Sequence, residues 1–144
     1  MPHVIRSIDI KAPPSVVWRW LASQQALRQW ISPSLEIDLN VGGAYRMLGA
    51  DNETWVSGTV LELTPEGSLV LSWMEENRGW VHPARLVITL AATPGGTKVT
   101  LSHDGFAGIG KSGWAATAQA YERGADSHKV LEKLAELVTA DVGA

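Results

Sequence analysis

Short polar turns separate most of the strand-like segments in this chain, and that spacing restricts the fold more than any other feature. Six segments alternate apolar and polar residues, at 35–39, 44–48, 54–63, 68–74, 83–90 and 97–103. Most turns between them are rich in Gly, Pro, Asn or Asp, as at 40–43 and 93–96. Such turns join antiparallel strands, because parallel pairing needs a crossover of about a dozen residues or more. The spacing therefore predicts an antiparallel meander.

Helical segments flank the meander. An opening strand over residues 3–11 is followed by two short helices, the first beginning at Pro14. After the last strand, residues 112–139 place apolar side chains such as Leu134 and Val138 at helical spacing. If helical throughout, this segment is about 40 Å long and needs a broad surface to pack on. We therefore predict an α+β fold in which a curved antiparallel sheet of about six to seven strands wraps around a long C-terminal helix.

Composition excludes several classes of protein. The 144 residues suit one domain, 1–144, with its own core. A net charge of -3 without a basic block gives nucleic-acid binding no electrostatic support. No apolar run approaches the ~20 residues that span a bilayer, and the N-terminus lacks a signal-peptide pattern, so we expect a cytoplasmic protein with no membrane partner. The absence of cysteine removes disulfides and thiolate chemistry, and the four histidines show no metal-ligand spacing.

Several short motifs recur here in a characteristic order. They occupy residues 12–18, 27–30, 41–43, 58–60, 69–73 and 96–106, and read APPSVVW, LRQW, VGG, GTV, LVLSW and GTKVTLSHDGF. Their order and spacing resemble the SRPBCC or START-like helix-grip superfamily, and within it the C-terminal-type domain of the activator of heat-shock-protein-90 ATPase homologues. One departure lies in the final helix. The family often has Gly-Trp there, whereas this chain has Gly124 followed by Ala125, with a tryptophan at Trp114 instead.

The resemblance implies a cavity between the sheet and the C-terminal helix that binds a small hydrophobic or aromatic ligand. Two other functions stay open on the same basis. One is a co-chaperone-like interaction module, with a chaperone or other protein as partner in a stress response; the other is a cyclase- or hydrolase-type enzyme. No nucleophile elbow or Ser/His/Asp pattern is present, so we assign no catalytic residue and favour the enzyme least. We expect no cofactor and no metal, and either a monomer or a homodimer.

Twelve residues are candidates for ligand contact. Alternation or aromatic character directs eleven of them toward this cavity, and Arg85 is included because it flanks the start of a strand and could anchor a carboxylate or carbonyl. They are Trp30, Tyr45, Met47, Trp55, Trp73, Trp80, Arg85, Leu101, His103, Phe106, Trp114 and Tyr121. In this hypothesis the apolar members supply contact area, while His103 and Arg85 orient a polar group of the ligand. The alternative is ordinary core packing for most of them, and a satisfied position at the sheet rim for His103. Glu75 and Glu76 are predicted to face water in a polar loop.

Residues 105–112 read GFAGIGKS and match the phosphate-binding pattern G-x-x-x-x-G-K-[ST]. In a nucleotide site the backbone N–H groups of such a loop face phosphate, while Lys111 would neutralise charge and Ser112 would hold magnesium. That fold needs further parallel strands after the helix, and too little chain follows residue 112 to supply them. We therefore predict that the match is coincidental and that the segment is a flexible lid loop at the mouth of the cavity.

Overall fold

A computed structural model describes the backbone of residues 4–49 and 51–143, together with the side chains of that part except those at 126–128, 142 and 143. His3, where the first strand is predicted to begin, lies outside the described residues. Within this part of the chain, seven strands form one sheet. They are β1 (Val4–Ile10), β2 (Glu36–Ile37), β3 (Ala44–Leu48), β4 (Trp55–Thr64), β5 (Ser68–Glu75), β6 (Ala84–Thr93) and β7 (Gly96–Asp104).

Every neighbouring pair of strands in the sheet is antiparallel, so the predicted meander is confirmed. The strand order is β1-β7-β6-β5-β4-β3-β2. The chain thus meanders from β2 to β7, and the first strand completes the far edge by pairing with the last. We call the side that carries Leu69, Leu71 and Trp73 of β5 the inner face. These three side chains are buried, and the opposite side of the sheet is the outer face.

The helices occupy the two ends of the described chain. They are α1 (Pro14–Trp18), α2 (Gln24–Arg28), α3 (Trp114–His128) and α4 (Val130–Gly143), with a short 3-10 helix at Phe106–Gly108. Pro14 suits the first turn of α1, where a backbone N–H has no partner within the helix. Ser23 caps α2 by accepting a hydrogen bond from the amide of Ala26 at 3.1 Å. None of the described helices combines the length and apolar character needed to cross a membrane.

The long C-terminal helix is divided at Lys129. This residue has a φ of 51°, in the left-handed region, and separates α3 from α4. The break lets the two helices pack differently. Leu131, Leu134 and Val138 of α4 are buried where that helix meets β1 and α1, whereas α3 lies against β1 and the 3-10 helix. Among the described side chains of α3, Ala118 alone is buried. Helix α4 is therefore anchored in the core, and α3 is held more loosely.

Strands β3, β4 and β5 approach so closely at one point that only glycine fits. Gly58 of β4 pairs with Tyr45 of β3, and a Cβ added to Gly58 would lie 2.2 Å from the carbonyl oxygen of Ser72 on β5. The Tyr45 hydroxyl donates a hydrogen bond of 2.5 Å to the same carbonyl. Ser72 Oγ in turn accepts from the amide of Thr59 at 2.8 Å. Because Gly58 has no side chain, Tyr45 of β3 can reach across β4 and bond to Ser72 of β5.

Candidate functional site

Five ring-bearing side chains meet between the inner face, the 3-10 helix and α3. We call Trp73, Trp80, His103, Phe106 and Tyr121 the aromatic cluster. The ring centroids of Trp73 and His103 are 4.7 Å apart, with their planes at 81°. Tyr121 lies 5.1 Å from His103 and 5.2 Å from Phe106, and Trp80 lies 6.3 Å from Phe106, centroid to centroid. The structure thus brings together these five of the predicted contact residues.

Local structure explains how distant segments reach the aromatic cluster. Trp73 on β5 and His103 on β7 both face inward by strand alternation. After β7, Gly105 adopts a φ of 85°, which glycine tolerates without a steric cost. This turn brings Phe106 back against the inner face, where its side chain is fully buried. Tyr121 of α3 covers the rings from the opposite side and is half-buried.

The GFAGIGKS segment is a structural connection and lacks the context of a phosphate loop. Strand β7 precedes it and is antiparallel to both of its neighbours, whereas a nucleotide site needs parallel strands. Phe106 and Ile109 are fully buried. The carbonyl of Ile109 accepts hydrogen bonds from the amides of Val81 (2.7 Å) and His82 (3.1 Å), which follow Trp80 in sequence. These anchors correct the expectation of a lid loop, since the segment instead holds Trp80 in the aromatic cluster.

A series of hydrogen bonds links α3 to β5 through the aromatic cluster. Trp73 Nε1 donates to the Tyr121 hydroxyl at 2.8 Å, and that hydroxyl donates a short hydrogen bond to Oε2 of Glu75. Burial, together with the Glu75 carboxylate, raises the pKa of Tyr121, so the phenol stays protonated as a donor. The predicted water-facing position of Glu75 is wrong. Strand β5 extends to this residue, and alternation after Trp73 directs its half-buried side chain inward.

Two nitrogen atoms of the aromatic cluster are buried without a hydrogen bond. Nδ1 of His103 and Nε1 of Trp80 have no partner among the described residues. Each of these residues is only 9% exposed. Burial lowers the pKa of His103 to about 4, so the imidazole is neutral at pH 7. Buried polar groups in native proteins are nearly always paired, and two such atoms in one apolar cluster therefore require an explanation.

The described residues around His103 do not form an acid–base pair with it. A histidine that acts as general base is commonly oriented by a group that accepts a proton from its other ring nitrogen. Within the described part of the chain, Nδ1 of His103 has no such partner. The adjacent Asp104 instead pairs with Arg85 at 2.8 and 3.0 Å. Arg85 precedes the inward-facing Leu86, so it lies on the outer face, in contrast to its predicted role as an anchor inside the cavity.

The remaining inward-facing candidates are part of the core. Tyr45, Met47 and Leu101 are buried on the inner face. Trp114 is half-buried at the start of α3 and packs against the core. Trp30 is buried just after α2, and its indole N–H donates to a backbone carbonyl of the turn after α1 at 2.9 Å. Outside the aromatic cluster, these residues make contacts typical of core packing.

An open groove of about 680 Å³ lies over β2, β3 and β4 on the outer face. Its walls combine apolar surface with polar side chains that include Ser57, Thr59 and Arg46. Arg46 is held by the carboxylate of Glu76 at 2.9 and 3.1 Å, and its guanidinium carbon lies 3.9 Å from the centroid of the Trp55 ring. Trp55 is therefore occupied on the outer face, away from the cavity that it was predicted to line.

Solved structures of other proteins share this arrangement of sheet and helices. The crystal structure of protein MLL2253 from Mesorhizobium loti has a TM-score of 0.78 and 21% identity, covering 96% of this chain and 97% of that one. The solution structure of the Aha1 dimer from Colwellia psychrerythraea has a TM-score of 0.61 and 17% identity, and the match covers 85% of this chain and 94% of that one. The crystal structure of DynU16, a protein in the dynemicin biosynthetic locus, has a TM-score of 0.71 and 16% identity. The match covers 96% of this chain and 48% of DynU16. At these identities the likeness shows the fold alone.

The sequence comparison gives the family. No curated protein matches the chain significantly. The family model described as "Activator of Hsp90 ATPase homolog 1-like protein" matches residues 11–139, which is most of the sequence. The α+β helix-grip arrangement implied by the motifs is confirmed by the sheet and helices described above. The chain therefore belongs to the family of Activator of Hsp90 ATPase homolog 1-like proteins.

Proposed function

We propose that the protein binds a small aromatic or apolar molecule that carries at least one hydrogen-bonding group, with the aromatic cluster as its binding site. Trp73, Phe106 and Tyr121 supply ring faces and edges for apolar contact. Small-molecule sites are generally lined by hydrophobic and aromatic side chains, with a few polar groups that fix the orientation of the ligand. The aromatic cluster has this composition.

The observation that carries the proposal is the pair of unpartnered nitrogen atoms, His103 Nδ1 and Trp80 Nε1, within the described structure. An indole nitrogen is always a donor, whereas Nδ1 of a neutral imidazole either donates or accepts, according to its tautomer. A buried polar atom that stays unpaired costs about 1–3 kcal/mol. A ligand oxygen that accepts from the Trp80 indole, or a ligand polar group that pairs with Nδ1 of His103, removes part of that cost. This favours a ligand with a polar group over a pure hydrocarbon.

Access to the aromatic cluster is easiest on the side of α3. Ala118 is the one buried residue among the described side chains of this helix, and α3 joins α4 through the left-handed Lys129. An outward shift of α3 separates Tyr121 from Phe106 and opens space between the rings, while α4 stays anchored. Elements with few buried apolar contacts are the ones that open at low free-energy cost.

Replacing Trp80 with Phe is expected to weaken binding of an aromatic alcohol, 2-naphthylmethanol, by about fivefold. The substitution keeps a ring in the aromatic cluster and removes the indole N–H that would donate to the alcohol oxygen. Calorimetric titration at pH 7 gives the dissociation constant. In ¹⁵N-labelled protein, the indole N–H resonances of the seven tryptophans identify the side chain that contacts the alcohol.

Trp20→Phe is the matched control for this experiment. Trp20 Nε1 also lacks a partner among the described residues, but Trp20 lies after α1, outside the aromatic cluster. We expect the control to bind 2-naphthylmethanol as the unmodified protein does. Equal affinities for both variants and the unmodified protein contradict the assigned role of Trp80. An unmodified protein that binds no 2-naphthylmethanol contradicts the proposed function itself.

A second candidate function, self-association through the outer face, is favoured by a largely apolar row across the sheet. Ile5, Val87 and the buried Val70 occupy one register row over four neighbouring strands, with Ser102 between Ile5 and Val87. Leu61, beside the irregularity in β4, extends the row. Ile5 and Leu61 are each 48% exposed, which is unusual for large apolar side chains in a water-facing row. Because the relative from Colwellia psychrerythraea is described as a dimer, a second copy of this chain is the partner that we propose.

Ile5→Lys is expected to raise the dissociation constant of such a dimer by about tenfold or more, because it would bury an unpaired charge in the interface. Sedimentation velocity over a range of concentrations measures the effect. Val41→Lys is the control, since Val41 is 67% exposed in the turn before β3, outside the row. An unmodified protein that is monomeric throughout the range rules out this candidate.

A further inference from the structure

We infer that the ligand of the aromatic cluster carries, in addition to the group that accepts from Trp80, a positive charge, as an amine or a quaternary ammonium ion, which Glu75 and the neighbouring rings hold. The inference rests on the proposed function and adds the chemical class of the ligand. It depends on three features of the site: an uncompensated carboxylate, the rings beside it, and the distribution of the other charges.

Glu75 is the uncompensated carboxylate. Its Oε2 accepts the hydrogen bond from Tyr121, and its Oε1 has no hydrogen-bond donor or cationic partner among the described residues. The next residue provides a contrast, because Glu76 is paired with Arg46 at 2.9 and 3.1 Å. A half-buried carboxylate without a counter-ion attracts a cation and repels an anion such as a fatty-acid carboxylate.

The rings beside Glu75 suit the same charge. Ammonium groups are attracted to the faces of Trp, Tyr and Phe within about 6 Å of the ring centroid. The Tyr121 hydroxyl is hydrogen-bonded to Glu75 and to Trp73, so the carboxylate lies beside these rings, at the edge of Tyr121. His103 adds no competing positive charge, because its buried imidazole is neutral at pH 7. A bound ammonium ion would therefore meet favourable electrostatics from both the carboxylate and the rings.

None of the ion pairs of the described residues includes Glu75. Asp104 and Arg85 pair with each other at 2.8 Å on the outer face. Arg6 faces inward on β1 and donates to a backbone carbonyl at 2.8 Å. In the strand register, Arg6 lies in the row of Leu69, near the opposite end of β5 from Glu75. The negative charge at the aromatic cluster thus remains available to a ligand.

Three naphthalene compounds of similar size that differ in charge at pH 7 test the inference. They are 2-naphthylmethylamine, a cation; 2-naphthylmethanol, which is neutral; and 2-naphthoate, an anion. We expect the unmodified protein to bind the amine about tenfold more tightly than the alcohol, and the alcohol more tightly than the carboxylate. Glu75→Gln keeps an oxygen that accepts from Tyr121 but removes the negative charge. In this variant we expect the preference for the amine to fall to about twofold, which is the contribution of the attraction between the ammonium group and the rings.

Glu76→Gln is the control, since it removes a neighbouring carboxylate that already has a partner on the outer face. We expect this variant to retain the full preference for the amine. If the unmodified protein binds the amine and the alcohol equally, or if Glu75→Gln retains the tenfold preference, the charge inference is overturned while binding of the alcohol still supports the proposed function. If none of the three compounds binds the unmodified protein, both are overturned.

Discussion

Replacing Gly58 with Ala is expected to lower the free energy of unfolding by about 3 kcal/mol or more. The added Cβ would lie 2.2 Å from the carbonyl oxygen and 2.6 Å from Oγ of Ser72, and real Cβ atoms do not approach backbone oxygen so closely. Relief requires β4 and β5 to separate. That movement breaks the hydrogen bonds that Tyr45 and Thr59 make to Ser72, which are 2.5 and 2.8 Å long. Urea denaturation followed by circular dichroism measures the loss.

Gly95→Ala is the matched control for Gly58→Ala. A Cβ added to Gly95, in the turn between β6 and β7, meets no atom within 4 Å. We expect this variant to unfold within about 0.5 kcal/mol of the unmodified protein. If both variants have the same urea midpoint, the close approach of the three strands around Gly58 is not a constraint on the fold.

Replacing His103 with Phe is expected to remove about 3 kcal/mol of acid destabilisation between pH 7 and pH 4. Burial lowers the pKa of His103 from 6.5 to about 4. Between these two pH values the imidazole is therefore largely protonated in the unfolded chain and largely neutral in the folded protein. The unfolded state therefore binds more protons in this window, and stability falls as the pH falls from 6.5 toward 4. Well above pH 6.5 both states hold a neutral imidazole, and the full stability is present. Phenylalanine keeps a ring in the aromatic cluster and does not titrate.

The measurement compares the unfolding free energies of the two proteins at pH 7 and pH 4. Carboxylates such as Asp51, whose pKa is lowered to about 2 by hydrogen bonds from Thr54, titrate equally in both proteins and cancel in the difference. We expect the His103→Phe protein to lose less stability than the unmodified protein by about 3 kcal/mol. Parallel pH profiles would show that His103 is accessible to protons in the folded state, contrary to its burial.

Strand alternation was a reliable guide to the inner face, because a period of two is a local property of the extended backbone. It placed Leu69 and Trp73 of β5 on one side, and both are buried. The same rule accounts for two errors. Glu75 continues the inward series of β5, and Arg85 comes directly before the inward-facing Leu86. Glu75 was placed in water because its segment is polar, and Arg85 was placed inside as an anchor for the ligand; the period of the strand contradicts both positions.

Other features depended on contacts between segments far apart in sequence. The glycine-rich composition of residues 105–112 indicates a mobile loop, yet Phe106 and Ile109 are fully buried and hold the loop that carries Trp80. Likewise the apolar spacing of residues 112–139 predicts one helix. The left-handed Lys129 divides it, and the two halves pack on different parts of the sheet and its helices. Local propensity does not contain this information, because packing selects the final conformation.

Turn length and backbone period sufficed to give the order of the elements, the antiparallel pairing and most of the inward-facing residues. The family, too, was recognisable from short motifs. The folded chain was needed to establish which rings meet, that His103 and Trp80 each keep a buried nitrogen without a partner in the described structure, and that Glu75 carries an uncompensated charge beside them. These features join β5, β7, two loops and α3, and they depend on separations of a few ångströms that no local sequence pattern encodes.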